Sequence, residues 1–224
     1  MRRWVLGIVA IDRPGAGGLI AAQAAAGVDK DGYTIYMTQA STYTVLPMQQ
    51  EGKMPVDLQK AFTAVGMVGE QPIAVGVNKD IPAKSVKELI DLANKTQGGM
   101  LFAATNRGGQ SHLTGELFST LAGVQLNHIP YKSSTHAVID LNEGRIDMQF
   151  GILGTSLTLI REGKLRALAT TTEKRTEELP DVPTMTEAGL PGFEAALVFA
   201  VVMPAGTPGA IVTQLNKDIA EIMA

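Results

Sequence analysis

The groups best placed for chemistry lie in residues 102–151. There Arg107-Gly108-Gly109-Gln110-Ser111 separates a β-rich run from a helical one. A helix start leaves backbone N–H groups unpaired and carries partial positive charge. Gly108 and Gly109 have no side chains to block an approaching anion. Ser111 is the expected N-cap, with its hydroxyl open to a ligand or to the backbone. The arrangement suits a carboxylate or another small anion. Arg107 is a candidate bidentate clamp, although loop arginines more commonly face solvent. Three further stretches end predicted strands. Thr38-Gln39-Ala40-Ser41-Thr42 sits where α/β sheets place their ligands, and it reads equally as an ordinary polar turn. Tyr131-Lys132 offers a ring to cover an acid and a charge to attract it, or else a structural tyrosine and a solvated lysine. Phe150-Gly151 ends the last of the three.

Other chemistry has little support. In Arg13-Pro14-Gly15-Ala16-Gly17-Gly18, the third glycine of a dinucleotide fingerprint falls on Ile20, so the run reads as a strand-to-helix turn. Ser111 is not in a nucleophile elbow, because Leu113 replaces the glycine that motif needs. His112, His128 and His136 do not form a zinc spacing, and the chain has no cysteine to add. His112 is expected in the first turn of a helix, which disfavours its charged form and points to a structural role. His128 reads as strand packing. The acidic residues of 173–181 alternate with Lys174 and Arg175 and read as solvated surface.

The chain has 224 residues, 45% of them hydrophobic, enough for a buried core in one or two domains. A formal charge of −3 gives no general attraction to nucleic acid or anionic membranes. No apolar run approaches the roughly 20 residues of a membrane span. The start, MRRWVLGIVAIDRPG, resembles a signal peptide only superficially, since the apolar run ends at Asp12 without a small-residue cleavage site. No cysteine excludes disulfides and fits an exported protein without proving export.

These groups must be positioned by alternating strands and helices, which predicts α/β architecture with mostly parallel sheets. Strands are expected at 8–12, 33–38, 64–68, 73–78, 100–104, 126–130, 146–150, 165–170 and 195–203. Helices are expected near 17–26, 85–97, 111–122, 134–143, 155–162 and 208–223. Ser85-Val86-Lys87-Glu88 is a capping box. Gly98, Gly123, Gly144 and Gly163 stand where helices end. Thr207-Pro208 reads as an N-cap followed by a first-turn proline.

Several short runs recur in a telling order: Arg13-Pro14-Gly15-Ala16-Gly17-Gly18, Asp31-Gly32-Tyr33-Thr34, Ser111-His112-Leu113, Gly115-Glu116-Leu117, Pro130-Tyr131-Lys132, the stretch Gly163 to Ala169, Leu179 to Thr184, and Pro204-Ala205-Gly206-Thr207-Pro208. By these the chain resembles the Bug, or TctC-like, extracytoplasmic solute-binding receptors of tripartite tricarboxylate transporters. The resemblance runs from about Ile11 to the end. It implies a type II periplasmic-binding-protein fold, with a ligand cleft between two lobes. Lobe one would be 1–98 plus 195–224, and lobe two 99–194. The implied function is capture of a di- or tricarboxylate or similar small organic acid, without a cofactor. The implied partners are the transporter's membrane subunits, the implied compartment is the periplasm, and a monomer is expected. No nucleic acid or direct membrane insertion is expected. The expected ligand contacts are Ala40, Ser41, Thr42, Arg107, Gly108, Gly109, Gln110, Ser111, Tyr131, Phe150 and Gly151.

The chain also departs from the family pattern. Relatives carry an export signal, and they open with a strand and helix for which residues before Ile8 are too few. They also continue beyond the final helix. Lobe one is therefore expected to be incomplete and poorly stable. Relatives often have His-Ala where this chain has Tyr43-Thr44, and glycine where it has Ser133. Asn106, Arg107, Gly109 and Gln110 depart from a Gly- and Ser-rich pattern. Relatives often have Asp at position 151, so Gly151 is expected to alter ligand choice, for example by tolerating a carboxylate. The alternatives are a truncated remnant that no longer binds, or an enzyme acting on a carboxylated substrate.

Overall fold

The computed structural model describes residues 7–13, 15–50, 53–105 and 107–223. Residues 1–6, which hold the leader-like start, lie outside the described residues, as do Pro14 and Asn106. Seven strands form one mixed sheet: β1 (Tyr36–Gln39), β2 (Phe62–Asn78), β3 (Met100–Ala104), β4 (Leu126–Pro130), β5 (Met148–Ile152), β6 (Leu165–Thr170) and β7 (Ala196–Pro204). The path is β1-β7-β2-β5-β3-β4, with β6 also paired to β2. The parallel pairing predicted from strand–helix alternation is found where β3 joins β4 and β5. The antiparallel pairs all involve β2 or β7.

β2 organises the molecule. The expected strands 64–68 and 73–78 are one continuous strand. It pairs with β7 from Phe62 to Pro72, then with β5 and β6 from Ile73 onward. Pro72 stands where β2 changes partners, a place that tolerates a residue without an N–H. The register slips near Gly66 and Gly69, and the φ of 134° at Gly69 suits only glycine. Next to the change of partner, Thr171 ties three segments together. Its hydroxyl donates to the carbonyls of Ile73, at 3.1 Å, and of Ala195. Its N–H also donates to Ile73, and its carbonyl accepts from Ala195.

The helices cover this frame. α1 (Leu19–Ala26), α2 (Ala40–Thr44), α3 (Leu46–Gln49) and α4 (Leu58–Ala61) surround a small core of Ala22, Leu46, Leu58, Phe62 and Val202. α9 (Gly209–Met223) lays Ile211, Leu215 and Ile219 against Val65, Val201 and Met203. The largest cluster joins Ile73, Val75 and Val77 of β2 to Phe102, Phe118, Met148 and Phe150. It also takes Val86, Leu89 and Ala93 from α5 (Val86–Lys95). The opposite face of β3 and β5 is covered by α7 (Ser134–Asn142) and α8 (Leu153–Arg161), with Val138 and Leu141 of α7 clustered with Ala103 and Ile146. Among the described residues, no helix is long and apolar enough to cross a membrane.

The capping box forms in part. The Ser85 hydroxyl accepts from the Glu88 N–H at 3.2 Å, while the Glu88 carboxylate turns to the Lys84 N–H at 2.6 Å. The helices at 40–44, 46–49 and 58–61 were not expected, because they are single turns too short to show a period. The segment 8–12 is not a strand. Ile8, Val9 and Ile11 are 85%, 82% and 71% exposed, and β-propensity makes a strand only when a neighbour completes the ladder. Thr207 does not cap α9. Its hydroxyl donates back to the Pro204 carbonyl at 2.8 Å.

Candidate ligand-binding site

β3 and β5 end side by side, and α6 (Gln110–Ala122) begins directly beyond β3. A cleft of about 100 Å³ opens at this point. Its wall includes Ala104 and Thr105 after β3, Gly109, Gln110 and Ser111 at the start of α6, and Phe150 and Gly151 of β5. Gln39 of β1 and Leu197 of β7 close the far side. Ser134 and Ala137 bring the first turn of α7 to the same space.

The loop before α6 turns the start of that helix onto the cleft. Gly109 is the N-cap, in an extended conformation, and no side chain caps the helix. The expectation that Ser111 caps it is therefore corrected. The helix begins one residue earlier, which puts Ser111 inside the first turn. Its hydroxyl instead accepts from the Thr105 N–H at 3.3 Å and lies 3.4 Å from the Thr105 hydroxyl, pinning the end of β3 to the helix. A helix end with no side-chain cap presents its first N–H groups outward.

Beneath the loop, His112 has the structural role expected of it. Its Nδ1 accepts from the Gly108 N–H at 3.1 Å, which places the ring proton on Nε2, 3.4 Å from a Glu116 oxygen. The ring centroid lies 4.3 Å from that of His128, and both rings contact Phe102. Burial holds the His112 imidazole below its ordinary pKa, and the nearby His128 and Arg107 add to this against the pull of Glu116.

The expected contacts divide. Gly109, Gln110, Ser111, Phe150 and Gly151 come together on the cleft. Phe150 borders it with its ring committed to the core, 5.4 Å from Phe118 and 6.0 Å from Phe102. Ala40, Ser41, Thr42, Arg107, Gly108 and Tyr131 do not line it. Thr42 is buried beside Gly18. Arg107 is exposed. The Tyr131 hydroxyl donates to Asp140 at 2.7 Å, and burial together with that bond pushes its pKa up to about 12. Gly151 does not leave free space for a ligand carboxylate. A Cβ there would lie 2.8 Å from the amide of Gln149, which fills that place.

Gln149 lines the cleft and was missed by sequence reasoning, as was Ser134, while Gln39 lay in the Thr38–Thr42 run without being an expected contact. Gln149 is only 3% exposed, yet its amide makes no hydrogen bond among the described residues. A signal was present. Met148 and Phe150 alternate with it and point to the largest core, so Gln149 had to face the side covered by α7.

The mixed sheet, the long crossing strands and the cleft at the strand ends define a periplasmic-binding-protein fold. Within that class, the chain belongs to the tripartite tricarboxylate transporter family receptors, whose family model matches residues 3–224. It is 36% identical over 216 residues to Protein BugT of Bordetella pertussis, covering 96% of this chain and 66% of BugT. Among solved structures, it resembles an R. palustris protein with adipate at 36% identity and a TM-score of 0.84, covering 93% of this chain and 69% of that one. It also resembles MatC from Rhodopseudomonas palustris with bound malate, at 28% identity and a TM-score of 0.79, covering 92% and 70%. The chain spans just under two thirds of the length of the curated relatives it matches here, 66% of BugT and 64% of a Pseudomonas relative.

Proposed function

We propose that this chain is the ligand-capturing part of an extracytoplasmic receptor for a small organic acid. The observation that carries the reading is the start of α6, uncapped by any side chain and opening on a cleft at the ends of β3 and β5. Such an end offers N–H donors and partial positive charge to one carboxylate. Gly109 allows close approach, and the Ser111 hydroxyl holds the loop in register. Two similar proteins were solved with adipate and with malate, which supports the same ligand class here.

The cleft is the meeting place of two lobes in this reading. One lobe holds α1–α4, β1, α9 and the β7 side of β2. β7 belongs with the first, and the other holds β3 to β6 and the rest of β2 with α5–α8. The boundary proposed here moves from residue 98 to the change of partner near Ile73, because β2 beyond that point and α5 both pack into the core with Phe102. A ligand touching both sides would favour the closed arrangement by population shift. The closed form would then be presented to the membrane subunits of a tripartite transporter in the periplasm. The role is capture rather than catalysis.

A thermal-shift titration with citrate, malate, succinate, glutamate, adipate and nicotinate tests the reading. The expected result is a saturable rise in unfolding midpoint with at least one acid, as preferential binding to the native state requires. No rise with any acid would contradict it.

A further inference from the structure

Gln149 stands out against the core around it. A strand position 3% exposed and covered by α7 suits leucine or methionine. Instead it carries a primary amide with no hydrogen-bond partner among the described residues. Its amide atoms are not among the fully buried unpaired ones, so they open on the cleft. The surroundings nevertheless hold it in place. Gly76 is its cross-strand neighbour on β2, and a Cβ at Gly76 would sit 3.5 Å from its Cγ and Nε2. A Cβ at Gly151 would collide with its amide carbon and nitrogen at 2.8 Å. Gly151 thus makes room for the amide on the wall of the cleft, while Gly76 lies at ordinary contact distance from it.

The charge of the cleft is equally particular. No Asp, Glu, Lys, Arg or His lines it among the described residues. Its source of positive potential is the start of α6, which matches a single carboxylate. A second carboxylate would meet only neutral groups, and an unpaired buried charge is costly. An amide offers an N–H donor and a carbonyl acceptor side by side. A carboxylate would satisfy the donor and leave two acceptor oxygens opposed. A neutral group that both donates and accepts satisfies the whole amide.

We infer that Gln149 is the specificity-determining residue of the cleft, and that it selects an acid with one carboxylate and one neutral donor–acceptor group, a primary amide or a hydroxyl. The inference rests on the receptor reading above and narrows its ligand class. Gly151 serves it by leaving space for the amide.

Matched ligands test this: succinate against succinamate, and adipate against adipamate, which differ only in one carboxylate exchanged for an amide. Calorimetric titration of the 224-residue chain is expected to show at least tenfold tighter binding of a monoamide than of its diacid. Gln149→Met and Gly151→Ala are each expected to abolish that preference. Gln149→Glu, which keeps the side chain's shape, is expected to weaken both ligands. Without ligand, Gln149→Met is expected to keep or raise the unfolding midpoint, because the amide opens on the cleft and has no hydrogen bond in the fold to lose. Equal or tighter binding of the diacids by the wild type would overturn the inference and leave the receptor reading intact. Absence of binding by both members of each pair, together with a blank acid panel, would overturn both. A lowered midpoint in ligand-free Gln149→Met would also overturn the inference, by showing the amide to be a structural group.

Discussion

Gly115 of α6 faces the ring of Phe102 so closely that an added methyl would overlap three ring atoms. Helix propensity alone predicts that Gly115→Ala stabilises by about 0.5–1 kcal/mol. Overpacking a filled core costs about 1–3 kcal/mol, and Phe102 and Gly115 are both fully buried. The expected outcome of urea unfolding is therefore net destabilisation, and the sign alone distinguishes the two effects. His112 sets a pH dependence under the same loop. Its native pKa is depressed below the ordinary value of about 6.5, so the unfolded chain takes up a proton first as pH falls. Its contribution to stability is full above about pH 6.5 and declines as pH drops from there to the native pKa. Protonation also removes the Nδ1 acceptor that holds the Gly108 N–H. Thermal midpoints measured from pH 7.5 to 5 should fall, and His112→Gln should flatten that slope.

At the scale of elements, long periodic segments were legible and irregular ones were not. α5, α6, α7 and the strands β3 to β6 stand close to where hydrophobic pattern and caps put them, because each buries one face and ends on a glycine or a capping hydroxyl. The union of 64–68 and 73–78 into β2 was hidden by Gly69 and Pro72. Both residues usually break strands, but here they absorb a register slip and a change of partner. The site was half legible. The glycines before α6 announce a helix start without a side-chain cap, whereas Tyr131 belongs to the Asp140 pair that only the folded chain creates. Gln149 needed knowledge of which helix covers which sheet face. Thr171 was equally invisible as a key residue, since its importance lies in joining Ile73 to Ala195, 98 and 24 residues away. Thr171→Val keeps the shape and deletes the hydroxyl. Leaving buried carbonyls without that donor should cost about 1–3 kcal/mol in chemical denaturation. A change below about 0.5 kcal/mol would show that the clasp is redundant with its backbone bonds.

At the scale of the whole molecule, a frame of long strands meets a local charge pattern. β2 runs through both halves of the sheet and β7 through one, and the cleft opens where the α6 start, the end of β5 and Leu197 of β7 converge. The formal net charge of −3 repels acids at long range, so the proposed capture would have to come from local N–H groups and dipoles. The central claim is that a carboxylate sits on the first turn of α6, at Gly109 and Ser111. The most direct test is calorimetric titration of the best-binding acid into the wild-type chain and into the double variant Gly109→Leu, Ser111→Leu. The account predicts at least a hundredfold loss of affinity in the variant, with a cooperative unfolding transition retained in the absence of ligand. Unchanged affinity in a folded double variant would contradict it.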